Sequence, residues 1–587
     1  MITDKILEKH KDDEDQLNFI RSTDKKIVVT APAGCGKTTA MVSKIAWELE
    51  NGNIGSNKKI LALTFSVNAA IKIKESLNEL LPEIVDDPNE VLKKVQVANY
   101  HRFAFHLLNK YGYSIDQKLT ELEIFTITDD CSLSKYLNET DQRIMKYFDN
   151  AIKQRNTKNI KELRDKYWKI LHEQLFPQKV ITYNGILLAG LKLFRNPNII
   201  EFYQSYYDLI LVDEFQDTNL LQYSFIQPLV NNSKVIFLGD DTQKIYGFIG
   251  AIDDIMKSIK KHFDATEFIF KTNYRFKNNL QLKQLDSFIR SYVNGVSDSD
   301  ARANVFLSKL ANEADEINFI IEGLKTIRAK TNNNVAVLVR AGWQGKKIAS
   351  GLDVNGITYF NALFKETDHE FIRFYDVAKD EFYKITSENA LQNELTACLD
   401  AIKKRKNEIV DKPSNEYIFD SLFHLLEKLF SVSRDWNQSV KEKYLSIGFY
   451  LENNGLEHMM EYIDEQIVIT TMHSAKGLEW DYVIIPQLIA GIFPIYKYVC
   501  KACKASYNNL ETNNLCKFRF SKNDVIIKDD LNLFYVAITR ARKEVFLTTH
   551  GGVNQWNYVN KRSCLINLDG LNPLPFQWDE VIKTNVK

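Results

Sequence analysis

The chain has 587 residues, 45% of them hydrophobic and 26% charged, which is long enough for several domains and ordinary for a globular protein. Lysine plus arginine equals aspartate plus glutamate, 76 of each. That balance excludes a globally basic field, so any nucleic-acid contact must come from local patches or from stacking.

The N-terminal stretch MITDKILEKHKDDEDQ is charged and lacks the apolar core of a signal peptide. Next, KKIVVTAPAGCGKTTAMVSKIAWELE reads as a buried strand, a small-residue loop and a helix. The same order returns in KKILALTFSVNAAIKIKESLNEL, in YDLILVDEFQDTNLLQYSFIQPLV and in SKVIFLGDDTQKIYG, and it predicts a parallel sheet. Later, NNVAVLVRAGWQGKKIASGL, IVITTMHSAKGLEWDYVIIP and NLFYVAITRARKEVFLTTH each set a strand beside polar chemistry. Two α/β cores are the economical reading. The first is expected over residues 1–271, with a helical insertion at about 105–179. The second is expected over 272–587, with a helical insertion at about 376–461. The longest apolar stretch, Tyr482 to Tyr496, is broken by two prolines and a glycine, too short to span a bilayer. The seven cysteines suit a reducing compartment. A cytoplasmic protein with no membrane partner is expected.

APAGCGKTT follows a strand and opens a helix. Its small residues let the backbone N–H groups of Ala33, Gly34, Cys35 and Gly36 wrap phosphates. Lys37 would neutralise the β- and γ-phosphates and Thr38 would bind Mg²⁺. The strict pattern wants glycine where Ala31 stands. LILVDEFQDT ends an apolar strand in Asp213 and Glu214: the first suits Mg²⁺ and the second suits a general base that orients the attacking water. Arg275, Arg540 and Arg542 are candidate charge stabilisers, against the alternative of surface ion pairs. Phe65, His101, Tyr246, Phe248 and His473 lie near loops and could stack on bases, although an isolated aromatic is more often core.

Taken in order, these segments resemble the superfamily 1 helicases of the UvrD/Rep/PcrA type. LALTFSVNAA, ANYHRFA, LVDEFQDTN, LGDDTQKIYGFIGA, KTNYRF, TTMHSAKGLEW and LFYVAITRA carry the likeness from Gln16 to Arg540. The resemblance implies two RecA-like P-loop cores, with ATP and Mg²⁺ as cofactors and 3′→5′ action on single-stranded DNA or on duplex with a single-stranded tail. It makes Gln16 similar to the adenine-reading glutamine, Tyr274 to the adenine-stacking residue and Glu479 to the ribose contact. Gln243 resembles the γ-phosphate sensor, and Arg275 and Arg540 the arginine fingers. Phe65, Tyr246, Phe248 and His473 resemble strand contacts.

The departures bear on activity. Thr39, still counted with the nucleotide-binding loop, stands where the family commonly has arginine. Asn68 replaces a lysine, Phe248 a tryptophan and Ile249 an arginine, and DDLNLFYV lacks a basic pair. The second insertion is smaller than the accessory subdomain of full-length relatives, and the chain after Arg542 is too short for the nuclease domain of the recombination nucleases. These features give an alternative expectation: an ATP-gated DNA-sensing subunit that regulates a partner nuclease or effector with little unwinding. The helicase-like subunit of the Gabija antiviral defence system is one compact protein it resembles. Cys500, Cys503 and Cys516 lack a fourth ligand at zinc spacing and read as incidental.

Overall fold

The computed structural model describes residues 2–65, 67–128, 133–294, 302–365, 367–387, 391–436, 439–452, 454–495, 525–553, 559–568 and 570–583. Cys500, Cys503 and Cys516 lie outside the described residues. Contacts divide the chain into two units, Met1–Arg275 and Phe276–Lys587.

In the first unit the apolar runs become strands β1 (Lys26–Thr30), β2 (Lys59–Thr64), β3 (Val95–Asn99), β4 (Thr126–Thr128), β5 (Val180–Thr182), β6 (Tyr207–Asp213), β7 (Val235–Gly239) and β8 (Thr266–Ile269). Six of them form one sheet in the order β3-β2-β6-β7-β1-β8, with every ladder parallel. The central runs β1, β2, β6 and β7 are almost continuously apolar because both faces are covered, whereas the edge strand β8 is largely exposed. Ile27, Val29, Ile60, Ala62, Leu209, Leu211, Ile236 and Leu238 face one cluster, packed by Phe19, Met41, Ile45 and Leu77. The alternate residues Val28, Leu61, Leu63, Ile210, Val212 and Phe237 face the other.

That second cluster extends without a break into the helical segment. Met145 and Phe148 of the helix Glu139–Lys153 and Tyr167 of the helix Thr157–Ile170 belong to it. The small ladder β4–β5 pairs Ile127 with Ile181 in the same region. The helical segment is therefore anchored on the sheet through a shared core.

The second unit holds β9 (Ala303–Leu310), β10 (Val335–Val339), β11 (Phe360–Ala362), β12 (Ile467–Thr471), β13 (Trp480–Ile485), β14 (Ala541–His550) and β15 (Leu571–Leu574). They form a parallel sheet in the order β11-β12-β10-β13-β14-β9-β15. Trp578 closes one face, packing among Phe319, Phe546 and Phe576 and donating from its indole to the Phe319 carbonyl at 2.7 Å. Gly323 allows that approach, since a Cβ there would lie 2.1 Å from the indole. Between β11 and β12 run the helices His369–Ile385, Leu391–Lys404, Glu416–Asp435 and Val440–Glu452. The two expected α/β cores are thus two parallel sheets carrying helices. Among the described residues no helix is long and apolar enough to cross a membrane.

Candidate functional site

The carboxyl ends of β1, β2, β6 and β7 carry the polar motifs, as expected of ligand sites in parallel α/β sheets. After β1 the chain turns through Gly34 and Gly36, both left-handed at φ +78° and +70°, before the helix Lys37–Glu50 begins. Thr38 and Thr39 sit half-buried in its first turn. Close approach as well as φ requires glycine here: a Cβ on Gly34 would meet Arg275 Cβ at 2.6 Å and Asn273 Oδ1 at 2.7 Å.

The KTNYRF segment lies directly on this loop. The Tyr274 amide donates to Gly34 O at 2.8 Å, and Asn273 Nδ2 donates to Ala33 O at 3.1 Å. The Tyr274 hydroxyl donates to Asp13 Oδ2 at 2.8 Å, and the residue is 44% exposed, leaving surface for a flat ligand. Gln16 is buried and donates from Nε2 to Cys35 O at 3.0 Å. Both Gln16 and Tyr274 lie against Gly36, where a Cβ would sit 2.8 Å from the amide nitrogen and 3.4 Å from the ring.

On the phosphate side, Lys37 Nζ lies 2.8 Å from Asp213 Oδ1 and also pairs with Glu214 Oε1. Burial alone would lower the Lys37 pKa, but the two carboxylates outweigh it and raise it, so the ammonium stays charged. Burial pushes Asp213 up, with Lys37 opposing. Glu214 takes a left-handed conformation at φ 50°, ψ 37°, a strained geometry that clusters at functional sites. Gln216 Nε2 donates to Glu214 Oε2 at 2.6 Å while its Oε1 accepts from the Asp240 amide at 3.1 Å. Gln243 Nε2 donates to Asp240 Oδ2 at 3.0 Å. The candidate base and the candidate phosphate sensor therefore share one polar network through Gln216 and Asp240.

This donor set fits Mg²⁺, a hard cation that takes oxygen ligands. Asp213 offers a buried carboxylate and Thr38 a hydroxyl. Thr64 is the register partner of Asp213, and its buried hydroxyl has no protein partner among the described residues.

The aromatic set divides. Phe65 and Tyr246 stack on each other, with centroids 4.9 Å apart and planes at 30°. Phe248 lies on the short turn Gly247–Ile249, and its side chain is outside the described set. His101 packs edge-on to Tyr183 at 5.5 Å instead, and burial lowers its pKa to about 4. It is thus neutral at physiological pH. The stacking loop is tied to the carboxylate segment: Ile252 N donates to Thr218 O at 3.0 Å, and Asn219 bridges Ala251.

In the second unit, Arg540 is buried. Its Nε donates to Val536 O at 2.9 Å, with further bonds to Thr539 Oγ1 at 3.0 Å and Leu478 O at 3.4 Å. Arg542 donates to Glu479 O at 3.0 Å, so Glu479 and both arginines gather at one corner. His473 follows β12, where burial and then Arg340 lower its pKa to about 3.

Residues 12–264 match the model of the UvrD/REP helicase N-terminal domain, and residues 363–552 match that of the UvrD-like helicase C-terminal domain. The chain belongs to the UvrD/Rep helicase family. It is 24% identical to the DNA helicase II of Rickettsia typhi, over 92% of each chain. It is also 24% identical to the ATP-dependent DNA helicase PcrA of Staphylococcus aureus, over 91% of this chain and 82% of that one. A probable DNA helicase II homolog of Mycoplasma genitalium is 24% identical over 92% and 86%.

Against that family background, Ile249 is half-buried and carries no charge. A guanidinium nevertheless reaches this loop, from Arg155 of the helical segment. Its Nε donates to Ala251 O at 2.7 Å, its second amino group to Gly247 O at 3.3 Å, and it lies 3.5 Å from Asp253. Gly250 permits the contact, since a Cβ would meet Ile152 O at 2.3 Å. Sequence reasoning missed Arg155, Gln216, Asp240 and Asn273. Gln216 and Asp240 carried a signal, as polar residues within apolar strand-end motifs; Arg155 carried none.

Proposed function

We propose that the chain is an ATP- and Mg²⁺-dependent DNA helicase or translocase that acts on single-stranded DNA in the 3′→5′ direction. The reading is supported above all by one observation: the Lys37–Asp213–Glu214 cluster and the Phe65–Tyr246 pair stand at one sheet edge, joined by the Thr218–Ile252 hydrogen bond. Lys37 and the loop amides hold the phosphates. Asp213 and Thr38 hold Mg²⁺, which supplies charge neutralisation. Glu214 orients the water and takes its proton, Gln243 senses the γ-phosphate, and Arg275 and Arg540 stabilise developing charge. Gln16, Tyr274 and Glu479 bind the nucleoside. Phe65, Tyr246, Phe248, His101 and His473 contact the strand, and the protein works in the cytoplasm.

The test is ATPase activity measured beside strand displacement on duplexes with a 3′ or a 5′ single-stranded tail. DNA-stimulated turnover with displacement of the 3′-tailed substrate supports the reading, and preference for the 5′ tail removes the polarity. A second reading, an ATP-gated DNA-sensing subunit of a Gabija-like defence pair with a partner nuclease or effector, is favoured by Ile249, which stands where the family commonly has an arginine. Stimulated ATPase without displacement on either substrate would select it.

With no net positive charge, strand binding must draw on stacking as well as phosphates. Tyr246→Ala should cost about 1–3 kcal/mol in single-strand affinity. The salt dependence should hardly change, because no phosphate contact is lost. Fluorescence anisotropy across a salt series checks both, and full affinity would remove Tyr246 from the strand-binding set.

A further inference from the structure

Four buried or loop groups in the first unit form a single polar relay. Cys35 O can only accept, so the hydrogen bond at 3.0 Å identifies the Gln16 atom facing it as Nε2. Gln16 Oε1 then faces His10 Nδ1 at 2.6 Å, and an amide oxygen can only accept, so Nδ1 carries the proton. The other ring nitrogen, Nε2, faces Ser43 Oγ at 2.8 Å and accepts from that hydroxyl. His10, Gln16 and Ser43 are 3%, 1% and 1% exposed, so none has water as an easy alternative partner. Burial also lowers the His10 pKa, in keeping with a neutral ring.

A primary amide can turn over by 180° and exchange donor for acceptor at almost no change in shape. The Cys35 end forbids that here, because a turned amide would set oxygen against Cys35 O; His10 answers with the Nδ1–H tautomer, whose proton holds Oε1 on the other side. After these two bonds, Gln16 keeps one free lone pair on Oε1 and one free N–H on Nε2. That pair matches the adenine edge, where the exocyclic amine donates and N7 accepts. A 6-oxo purine presents oxygen at the first position and meets a lone pair.

We propose that His10, held by Ser43, is a positioning residue for base selectivity: its Nδ1–H grips Gln16 Oε1 and, together with Cys35 O, keeps the amide in the orientation that accepts 6-amino purine nucleotides and rejects 6-oxo ones. The inference rests on Gln16 as the base-reading residue of the proposed function, and the test separates the two.

ATPase kcat and KM are measured with ATP and with ITP on the full chain, for the wild type, Gln16→Ala, His10→Ala and His10→Asn. Gln16→Ala should abolish the ATP preference. His10→Ala should lower it about tenfold, the scale of one lost hydrogen bond to a buried group, mainly through KM. His10→Asn places an N–H where Nδ1–H was and should restore the preference. If Gln16→Ala keeps the wild-type ratio, Gln16 does not read the base and this inference falls with it. If Gln16→Ala loses the ratio while His10→Ala keeps it, the positioning role alone is overturned. Should His10→Ala fail to fold, Ser43→Ala carries the test: it removes the hydrogen bond that holds the imidazole in place and should shift the ratio in the same direction, and an unchanged ratio overturns the proposal.

Discussion

Glu214→Gln should remove nearly all DNA-stimulated ATP hydrolysis while leaving ATP bound. The substitution keeps the shape of the side chain and its hydrogen bond to Gln216, because the amide oxygen still accepts from Gln216 Nε2. What it removes is the ion pair of Oε1 with Lys37 and, for the reaction, the ability to take a proton from water. General-base catalysis is worth about 10²–10⁴-fold, so the loss should reach that size. Lys37→Ala should be equally inactive for another reason, because it no longer binds nucleotide. It should also be less stable, since two largely buried carboxylates lose their counter-ion, a change that costs up to about 3–5 kcal/mol when one partner of a buried pair is removed. The pH dependence follows from linkage. Burial already raises Asp213, and without the opposing ammonium its folded-state pKa stands further above its unfolded value. The native variant then holds a proton the unfolded chain has given up, so its stability falls as pH rises through that window. The melting deficit of Lys37→Ala relative to wild type should therefore shrink on going from pH 8 to pH 5. Wild-type turnover in Glu214→Gln would remove that residue from the base role.

The two sheets were legible because parallel strands covered on both faces must be nearly continuous apolar runs, as KIVVT and LILV are. The phosphate loop was legible because its glycines and Lys37 are contiguous. What the sequence hid are partnerships across long separations. The Arg155–Ala251 bond joins residues 96 apart, and the Asn273–Ala33 bond joins residues 240 apart. Ile249 read as a lost cation on the loop, but the fold delivers a guanidinium there from the helical segment, whose core merges with the face of the sheet. His101 was legible as a loop-side aromatic, but its edge-on partner Tyr183, 82 residues further along the chain, was not. Periodicity identifies which residues are buried; it does not identify which distant polar atoms they meet.

Arg275→Ala and Arg540→Ala should each lower kcat far more than they raise KM. Charge on the equatorial oxygens grows only as the phosphoryl group leaves, so a guanidinium aimed at it stabilises the transition state and adds little to ground-state binding. Arginines in this role are worth on the order of 10³-fold or more in kcat. Their settings differ, and so should their controls. Arg275 lies on the phosphate loop, with its Cβ against Gly34 and its amide 3.4 Å from Gly34 O. Truncation beyond Cβ leaves that backbone contact in place, so nucleotide binding should survive. Arg540 is buried and bonds to Val536 O, Thr539 Oγ1 and Leu478 O. Its removal deletes three hydrogen bonds made in a buried setting, so Arg540→Ala should also lower the melting temperature. Arg540→Lys separates the two effects. A lysine keeps the charge but lacks the planar fork, so it should recover much of the stability and little of the rate. Full kcat in Arg540→Lys would mean that charge alone suffices there. Full kcat in Arg540→Ala would make this arginine a brace for the end of its own helix, with no part in phosphoryl transfer.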